Sequence, residues 1–400
     1  MDILEIDDLM RLARRRVPRM FFDYADSGSY SEGTYRRNVS DFAAIQLSQR
    51  VGRKLSGRSL HSTMVGETVR APIGLAPVGI AGMQHADGEI AAARAAAAFG
   101  VPFTLSTMSV CSIEDVAAAT NRPFWFQLYM MKDRGFVRSL VQRAIDAGCT
   151  TLVVTLDLQV VGQRHKDIRN GMSTPPRINL HSILQLATRP RWCLGMLSTK
   201  RHRLGNIVGH APGARDLRSM SQWVAEQFDL EFSWHDIDWL RQIWPGKLIL
   251  KGVMHPEDAQ SAAHTGADAI IVSNHGGRQL DGAPSSISRL ARIVDAVGSE
   301  IEVHFDGGIR SGQDVFRALA LGARGVYVGR PYAYGLGASG QAGVTRVLEI
   351  LSAELDVTMA LCGERRIADI GRHNLDNWTA PGSGPTHPSP MATPARKGTA

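Results

Sequence analysis

Short apolar, β-branched runs recur along this chain at a regular interval from residue 72 onward. Eight of them have the length and composition of buried parallel strands: Ile73–Ala76, Phe103–Ser106, Phe124–Leu128, Leu152–Thr155, Leu248–Lys251, Ala269–Ser273, Ile301–Phe305 and Gly325–Gly329. Between most of them the pattern changes to that of amphipathic helices, over Gly88–Phe99, Ile113–Ala119, Arg134–Ala147, Pro256–Thr265, Ser286–Val297 and Gln313–Leu321. Ser112 with Asp115 three positions on forms a capping-box pattern, and Gly100, Gly148, Gly266 and Gly322 stand where helices stop. Eight strand–helix units in alternation predict an α/β fold of the (β/α)8 TIM-barrel class.

One interval breaks the rhythm. Most runs lie about 20–30 residues apart, as a βα unit requires, but the fourth and fifth are separated by more than 90, from Thr155 to Leu248. The excess, residues 165–245, predicts a long insertion after strand 4 on the active-site side. In it Arg189, Arg191, Lys200, Arg201 and Arg203 bracket Trp192, Leu194, Met196 and Leu197. That pattern suits a mobile lid or an interfacial membrane contact, with a solvated loop packed by its tryptophan as the alternative. Ser233 ahead of WHDIDWLRQIW predicts a capped amphipathic helix returning to the barrel. A helix over residues 5–18, ended by Pro18, precedes the barrel. The segment after it, FFDYADSGSYSEGTYRRN, is too aromatic for a plain linker, and from its surroundings Tyr24 reads as packing rather than ligand contact. Residues 1–375 then form one barrel domain, and the proline-rich tail at 376–400 is expected to be disordered.

Composition narrows the function classes. A chain of 400 residues with 44% hydrophobic and 21% charged residues is ordinary for a globular protein. No apolar run approaches the roughly 18–20 residues of a membrane span, and MDILEIDDLMRLARRR lacks the apolar core of a secretory signal. Cysteines at 111, 149, 193 and 362 show no CxxC pair and no metal-ligand spacing, which predicts reduced thiols in a cytoplasmic protein and no metal site. The net charge of +7 permits nucleic acid, anionic lipid or small anions as partners. The basic residues are scattered and lack interleaved aromatics, so nucleic acid is not expected; an anionic membrane surface or small anions fit better.

Candidate chemistry collects where strands end. Ser273–Asp281, SNHGGRQLD, follows the sixth run and places His275 and Arg278 three positions apart beside two glycines that would let backbone approach a ligand. Ser106 closes the second run, Gln127 and Tyr129 alternate around Leu128, and Thr155 and Asp157 end the fourth, with Arg164 beyond; Lys251 ends the fifth. Polar residues on so many strands of one barrel converge at its C-terminal face, the place of an active site. Asp306-Gly307-Gly308-Ile309-Arg310 and Gly329-Arg330 follow the seventh and eighth runs, where barrels bind phosphate through backbone N–H groups.

SNHGGRQLD, DGGIRSG, GVYVGRP, WFQLY and TLDL, with FFDYADSGSYSE and GMQHADGE, stand in the order found in the FMN-dependent α-hydroxy-acid oxidising family, which this chain resembles from about Leu9 to about Gly363. LSTMSVC at 105–111 and LGNI at 204–207 bring it nearest to the family's bacterial respiratory L-lactate-oxidising branch. The resemblance implies FMN as cofactor and oxidation of an L-2-hydroxy acid to the 2-oxo acid. L-lactate to pyruvate is the first expectation, with (S)-mandelate oxidation or an oxygen-using oxidase as alternatives. It implies His275 as base, Asp157 stabilising the imidazolium, Arg278 and Tyr24 holding the substrate carboxylate, and Arg164 and Tyr129 completing the substrate site. Whether the proton leaves Cα or the hydroxyl stays open. Lys251 would face the flavin where negative charge develops, and Pro77, Val78 and Gly79 would lie beside it. Ser106, Gln127 and Thr155 would bond the ring edge, Asp306 the ribityl hydroxyls, and Gly307, Gly308, Arg310, Gly329 and Arg330 the phosphate. Glycine at 79, where oxygen-reactive members often carry alanine, favours electron transfer to a quinone or another carrier. Met108 stands where glycolate oxidase has a tryptophan, so lactate and mandelate both remain open and glycolate is disfavoured. The basic insertion fits peripheral attachment to the inner face of the cell membrane, and family members are commonly tetramers or octamers. Two other readings stand beside this one: a flavin-free phosphate-binding barrel, and a non-catalytic scaffold.

Overall fold

The computed structural model describes residues 2–172, 186–210, 223 and 225–376. Parts of the expected insertion and, beyond Asp376, the expected disordered tail lie outside the described residues. Eight parallel strands form one sheet: β1 Ile73–Leu75, β2 Thr104–Ser106, β3 Trp125–Tyr129, β4 Thr151–Thr155, β5 Lys247–Val253, β6 Ala269–Val272, β7 Glu302–Asp306 and β8 Val326–Val328. From β2 onward each pairs in parallel with the next, and β8 pairs with β1. Between β1 and β2 a single bridge, Leu75 to Phe103, and the Leu75 N–H bond to the Pro102 carbonyl at 2.9 Å complete the circle. The chain is a (β/α)8 barrel.

All eight expected strands are present, displaced by one or two residues at their ends. One end was misread: Lys251 does not finish its strand. β5 runs on to Val253 with a register irregularity between Lys251 and Val253. Gly252, at φ 106°, makes it possible, because a Cβ there would come within 2.7 Å of Asp157 Cγ. The interruption turns Lys251 inward at the height of the strand ends.

The outer ring comprises α1 Gly88–Phe99, α2 Ile113–Ala119, α3 Arg134–Asp146, α4 Trp234–Ile243, α5 Pro256–Ala263, α6 Ser286–Val297, α7 Gly312–Ala320 and α8 Arg330–Cys362. The caps follow the sequence pattern: Ser112 Oγ accepts the Asp115 N–H at 3.1 Å while the Asp115 carboxylate accepts the Ser112 N–H at 3.0 Å. Ser233 likewise donates its N–H to Asp236 at 2.8 Å ahead of α4. Gly100, Gly148, Gly266 and Gly322 all have positive φ. α8 packs against α1, α7 and the N-terminal helix Ile6–Arg16; it is buried all round over residues 331–338, is kinked by non-helical angles at Ser339 and Gly340, and beyond the kink sets exposed Gln341 and Glu349 against buried Val344, Val347, Leu348 and Leu351. The aromatic segment after Pro18 is likewise helical, over Arg19–Asp26 and Gly33–Ser40.

Trp125, Val153, Ile249, Ala269, Ile271 and Tyr327 fill the barrel, and Met64, Val65 and Val69 of a hairpin formed by Ser62–Met64 and Glu67–Val69 pack against them from the N-terminal side. The C-terminal side is left for the site. The insertion helix Pro190–Ser198 is tied to that rim. Trp192 stacks on Phe21 at 5.3 Å and donates its indole N–H to the Met83 carbonyl at 2.9 Å, and Arg201 pairs with Asp87 and Asp115. Met196 is buried, whereas Leu194 and Leu197 are 67% and 82% exposed.

Candidate active site

A cavity of about 550 Å3 opens among the C-terminal strand ends, a size suited to a cofactor with a small substrate. Tyr24, Pro77, Val78, Gly79, Tyr129, Thr155, Arg164, Lys251, His275, Arg278, Asp306, Gly307, Gly308, Arg310, Gly329 and Arg330 all line it. Ser106 and Gln127 do not. They lie behind Thr155 in a buried row, Ser106 Oγ donating to Gln127 Oε1 at 3.1 Å and Gln127 Nε2 to Thr155 Oγ1 at 3.0 Å. Asp157 also stands back, with its Oδ1 2.9 Å from His275 Nδ1.

That pair is set by backbone. His275 sits at φ 57°, an unusual angle for a non-glycine residue, with its N–H on Ser273 Oγ at 3.1 Å. Of the two glycines after it, Gly276 lines the cavity, where a Cβ would fall 2.6 Å from Arg330 Nη1, whereas Gly277 packs away from it, where a Cβ would fall 2.5 Å from the Tyr35 nitrogen. Burial lowers the His275 pKa below its ordinary value, assisted by Lys251 and Arg164 and opposed by Asp157. The imidazole is therefore a neutral base near pH 7. Burial raises Asp157, but the charge and hydrogen bond of His275 and the charge of Lys251 outweigh it and leave its pKa low.

Two arginines stand beside this base. Arg278 donates to the Tyr24 carbonyl at 2.6 Å and the Ser27 carbonyl at 3.1 Å, and its guanidinium lies 4.9 Å from the Tyr24 ring centroid. Tyr24 thus both packs on Arg278 and faces the cavity. Arg164 has only long bonds, at 3.4 Å, to Arg278 O and Gln279 Oε1. Burial and then the like charge of Arg278 pull its pKa down to about 10. Two desolvated guanidiniums held near each other favour an anion between them.

Lys251 Nζ reaches Asp306 Oδ2 and Ser273 Oγ, both at 2.7 Å. Among the described residues, Asp306 Oδ1 and Arg330 Nε are buried beside the cavity with no hydrogen-bond partner. A hydroxyl donor and an anion are what those two atoms lack. Arg330 lies 4.5 Å from the Tyr35 ring and Arg310 5.8 Å from that of Tyr334, and both phenols donate to Asp26 Oδ1, at 3.0 and 2.5 Å. Gly307 and Gly308 line the cavity, but the side where their Cβ would stand is filled by Ser286 and Asn38.

Residues 13–377 match the family described as FMN-dependent dehydrogenase. This chain belongs to that family. It is 49% identical over 381 residues to the L-lactate dehydrogenase of Xanthomonas campestris pv. campestris (strain 8004), covering 95% of this chain and 98% of that one. It is 49% identical over 365 residues to that of Caulobacter vibrioides (strain NA1000 / CB15N), covering 91% and 95%. Among solved structures, the monotopic membrane protein (S)-mandelate dehydrogenase superposes with a TM-score of 0.90 at 36% identity, covering 94% of this chain and 100% of that one. A mandelate oxidase with (S)-4-hydroxymandelic acid gives 0.81 at 36%, covering 94% and 98%.

As an FMN-dependent dehydrogenase the protein uses FMN, and the cavity fits it. Arg310 and Arg330 offer charge for a phosphate, Asp306 Oδ1 an acceptor for a hydroxyl, and Lys251 a fixed cation. Several lining residues had no sequence signal: Asp167, Met172, Ala225 and Phe228 come from the insertion, as does Leu204 of the LGNI segment. Phe228 packs edge-on to Tyr129 at 5.8 Å, and burial pushes the Tyr129 phenol up. Asp26 sat in a quoted motif and Tyr35 in the aromatic segment after Pro18, while Tyr334 lay three residues past GVYVGRP; only the fold shows that they converge.

Proposed function

We propose that this protein oxidises L-lactate to pyruvate. The observation that carries the reading is His275, held 2.9 Å from Asp157 at Nδ1 and facing the cavity beside Arg164 and Arg278. The lactate dehydrogenase names of relatives at 49% identity favour a small substrate side chain. Arg278 and Arg164 bind the substrate carboxylate, with the Tyr24 and Tyr129 hydroxyls adding hydrogen bonds. His275, with Nδ1 occupied by Asp157, takes a proton at Nε2, and Asp157 stabilises the imidazolium that results. FMN, when bound, accepts the two electrons the substrate gives up. Lys251 supplies positive charge where that uptake makes the cofactor more negative. Thr155 bonds the flavin edge with Ser106 and Gln127 fixing it from behind, and Pro77, Val78 and Gly79 flank the ring. Asp306 holds ribityl hydroxyls, and Gly307, Gly308, Arg310, Gly329 and Arg330 receive the phosphate.

Residues 1–375 act as one barrel domain, with 165–245 as its insertion on the side of the site. Electrons pass to a quinone or another carrier. No described helix is long and apolar enough to cross a membrane; exposed Leu194 and Leu197 among basic residues support peripheral contact with the inner face of the cell membrane. A homo-oligomer, tetramer or octamer, is the expected assembly. Anaerobic stopped-flow reduction of bound FMN by L-lactate, (S)-mandelate and glycolate tests the reading. Fast bleaching by L-lactate with slow reoxidation in air supports it. Preference for mandelate moves the substrate to an aromatic acid, fast reoxidation by oxygen makes the protein an oxidase, and no bleaching by any of the three refutes it.

A further inference from the structure

A buried acid lies under the two loops that flank Gly79 and has no part in the chemistry above. Glu89, in the first turn of α1, is 1% exposed, and among the described residues no ion pair reaches it. Its Oε1 accepts the N–H of Gly82 at 2.9 Å and the N–H of Val110 at 3.0 Å. Gly82 belongs to the loop after β1 and Val110 to the loop after β2, so one oxygen joins both. Removing a carboxyl group from water is costly, and a helix N-terminus with two amide donors offsets only part of that cost.

The joined loops are strained. Ile80 has φ 47° and ψ 36°, the left-handed region, which a β-branched residue rarely enters. Its N–H bonds to the Met108 carbonyl at 2.8 Å, a second tie between the same loops two residues from Gly82. The space that results is narrow. A Cβ at Gly79 would stand 3.2 Å from Tyr24 Oη and 3.3 Å from Met108 Cβ, and Gly79, Ile80, Met108 and Tyr24 all line the cavity. The loop after β2 has its own anchor in the insertion: Asn206 Nδ2 donates to Ser109 Oγ at 3.0 Å, and the Gly205 N–H donates to the Ser109 carbonyl at 3.0 Å. The loop after β1 has anchors too, the Met83 carbonyl under Trp192 at 2.9 Å and Gln84 Nε2 on the Phe21 carbonyl at 2.7 Å, but both lie beyond Gly82, so Glu89 is the side-chain tie nearest to Ile80.

We propose that Glu89 is a positioning residue: by clamping the amides of Gly82 and Val110 it keeps Ile80 left-handed and fixes the Gly79–Met108 gap, and so sets which substrate side chains are accepted. The inference rests on the reading that 2-hydroxy acids are oxidised beside Gly79. A carboxylate acceptor binds N–H groups about twice as strongly as a neutral one, so Gln at this site keeps the shape and loosens the clamp.

The test has two readouts. In the apoprotein, amide hydrogen exchange at Gly82 and Val110 should quicken about tenfold in Glu89→Gln; unchanged exchange overturns the clamp whether or not the protein oxidises lactate. In the FMN-loaded enzyme, the ratio of flavin reduction rates by L-lactate and by L-2-hydroxyhexanoate should fall about fivefold or more in the variant, because a looser gap penalises the longer chain less. Equal loss for both acids would make Glu89 merely structural. If wild-type protein bleaches with neither acid, the proposed function fails, while the amide exchange still decides the clamp.

Discussion

Asp157→Asn isolates the electrostatic part of the proposed base. Asp157 Oδ1 lies 2.9 Å from His275 Nδ1, with both side chains mostly withdrawn from solvent. The variant keeps the shape, and the Asp157 carbonyl would still accept the Gln279 amide at 2.6 Å, so the loop should hold. What disappears is a charge-assisted hydrogen bond to the imidazolium that forms as the substrate loses its proton. Such a bond contributes about 1.5–3 kcal/mol, and two unit charges 4 Å apart at an effective dielectric of 20 interact by about 4 kcal/mol. A loss of about 2–4 kcal/mol of transition-state stabilisation lowers the rate of flavin reduction by about 30- to 1000-fold. Substrate affinity, carried by Arg278 and Arg164, should change little. The pH profile has a definite sign. Asp157 opposes the lowering of the His275 pKa; without it the imidazole protonates at still lower pH, and the acid limb of the reduction rate moves downward while the plateau falls. Single-turnover anaerobic reduction by L-lactate from pH 5 to 9 measures both. A plateau within threefold of wild type, or an acid limb displaced upward, would refute the assignment of Asp157 as the partner of the base.

Lys251→Met leaves Asp306 buried without its counter-ion, and losing one member of such a pair costs about 3–5 kcal/mol. Urea unfolding of the apoprotein should show a loss of that order, and spectroelectrochemistry of the loaded variant a more negative FMN midpoint potential. Gly79→Ala brings Cβ within 3.2 Å of Tyr24 Oη and 3.3 Å of Met108 Cβ; reduction by L-lactate should slow about tenfold, with faster reoxidation by oxygen. Unchanged rates in both half-reactions would place residue 79 away from the cofactor. Replacing Leu194 and Leu197 together by Asp disturbs neither core nor cavity and should cut co-sedimentation with anionic phospholipid vesicles about tenfold or more. Equal co-sedimentation would remove this helix from the membrane assignment.

How far the sequence reaches depends on what kind of signal a residue leaves. Strands buried on both faces appear as unbroken apolar runs, which is why all eight were found to within two residues. The half-buried helices with periodic faces, such as Ser286–Val297, were legible for the same reason. α8 was not, because its first part, residues 331–338, is buried all round and has no polar face, and the kink at Ser339 and Gly340 separates it from the amphipathic part that follows. Strand-end residues such as His275, Asp157 and Lys251 were found through topology, which brings the ends of parallel strands together whatever lies between them in the chain. Phe228 and Asp167 were missed because the insertion follows no such rule. The end of β5 was misplaced since Gly252 reads in sequence as a break, whereas its freedom at φ 106° lets the strand continue past Asp157.

The charges lining the cavity bear on what it holds. Among the described residues that line it, five cations, Arg164, Lys251, Arg278, Arg310 and Arg330, face two carboxylates, Asp167 and Asp306. Burial pushes the Asp167 pKa up, which weakens even that compensation. A desolvated excess of this size is unfavourable without anions to meet it. The cations are arranged in two groups. Arg310 and Arg330 stand over Tyr334 and Tyr35, whose hydroxyls converge on Asp26. Arg164 and Arg278 stand near His275. A phosphate, at about −1.5 to −2, suits the first group and a single carboxylate suits the second, with Lys251 and Asp306 paired between them. Charge therefore supports a site for one phosphate-bearing cofactor and one monocarboxylate. It also accounts for part of the net +7 without nucleic acid, because these five cations are gathered inside the barrel mouth rather than spread on an outer face.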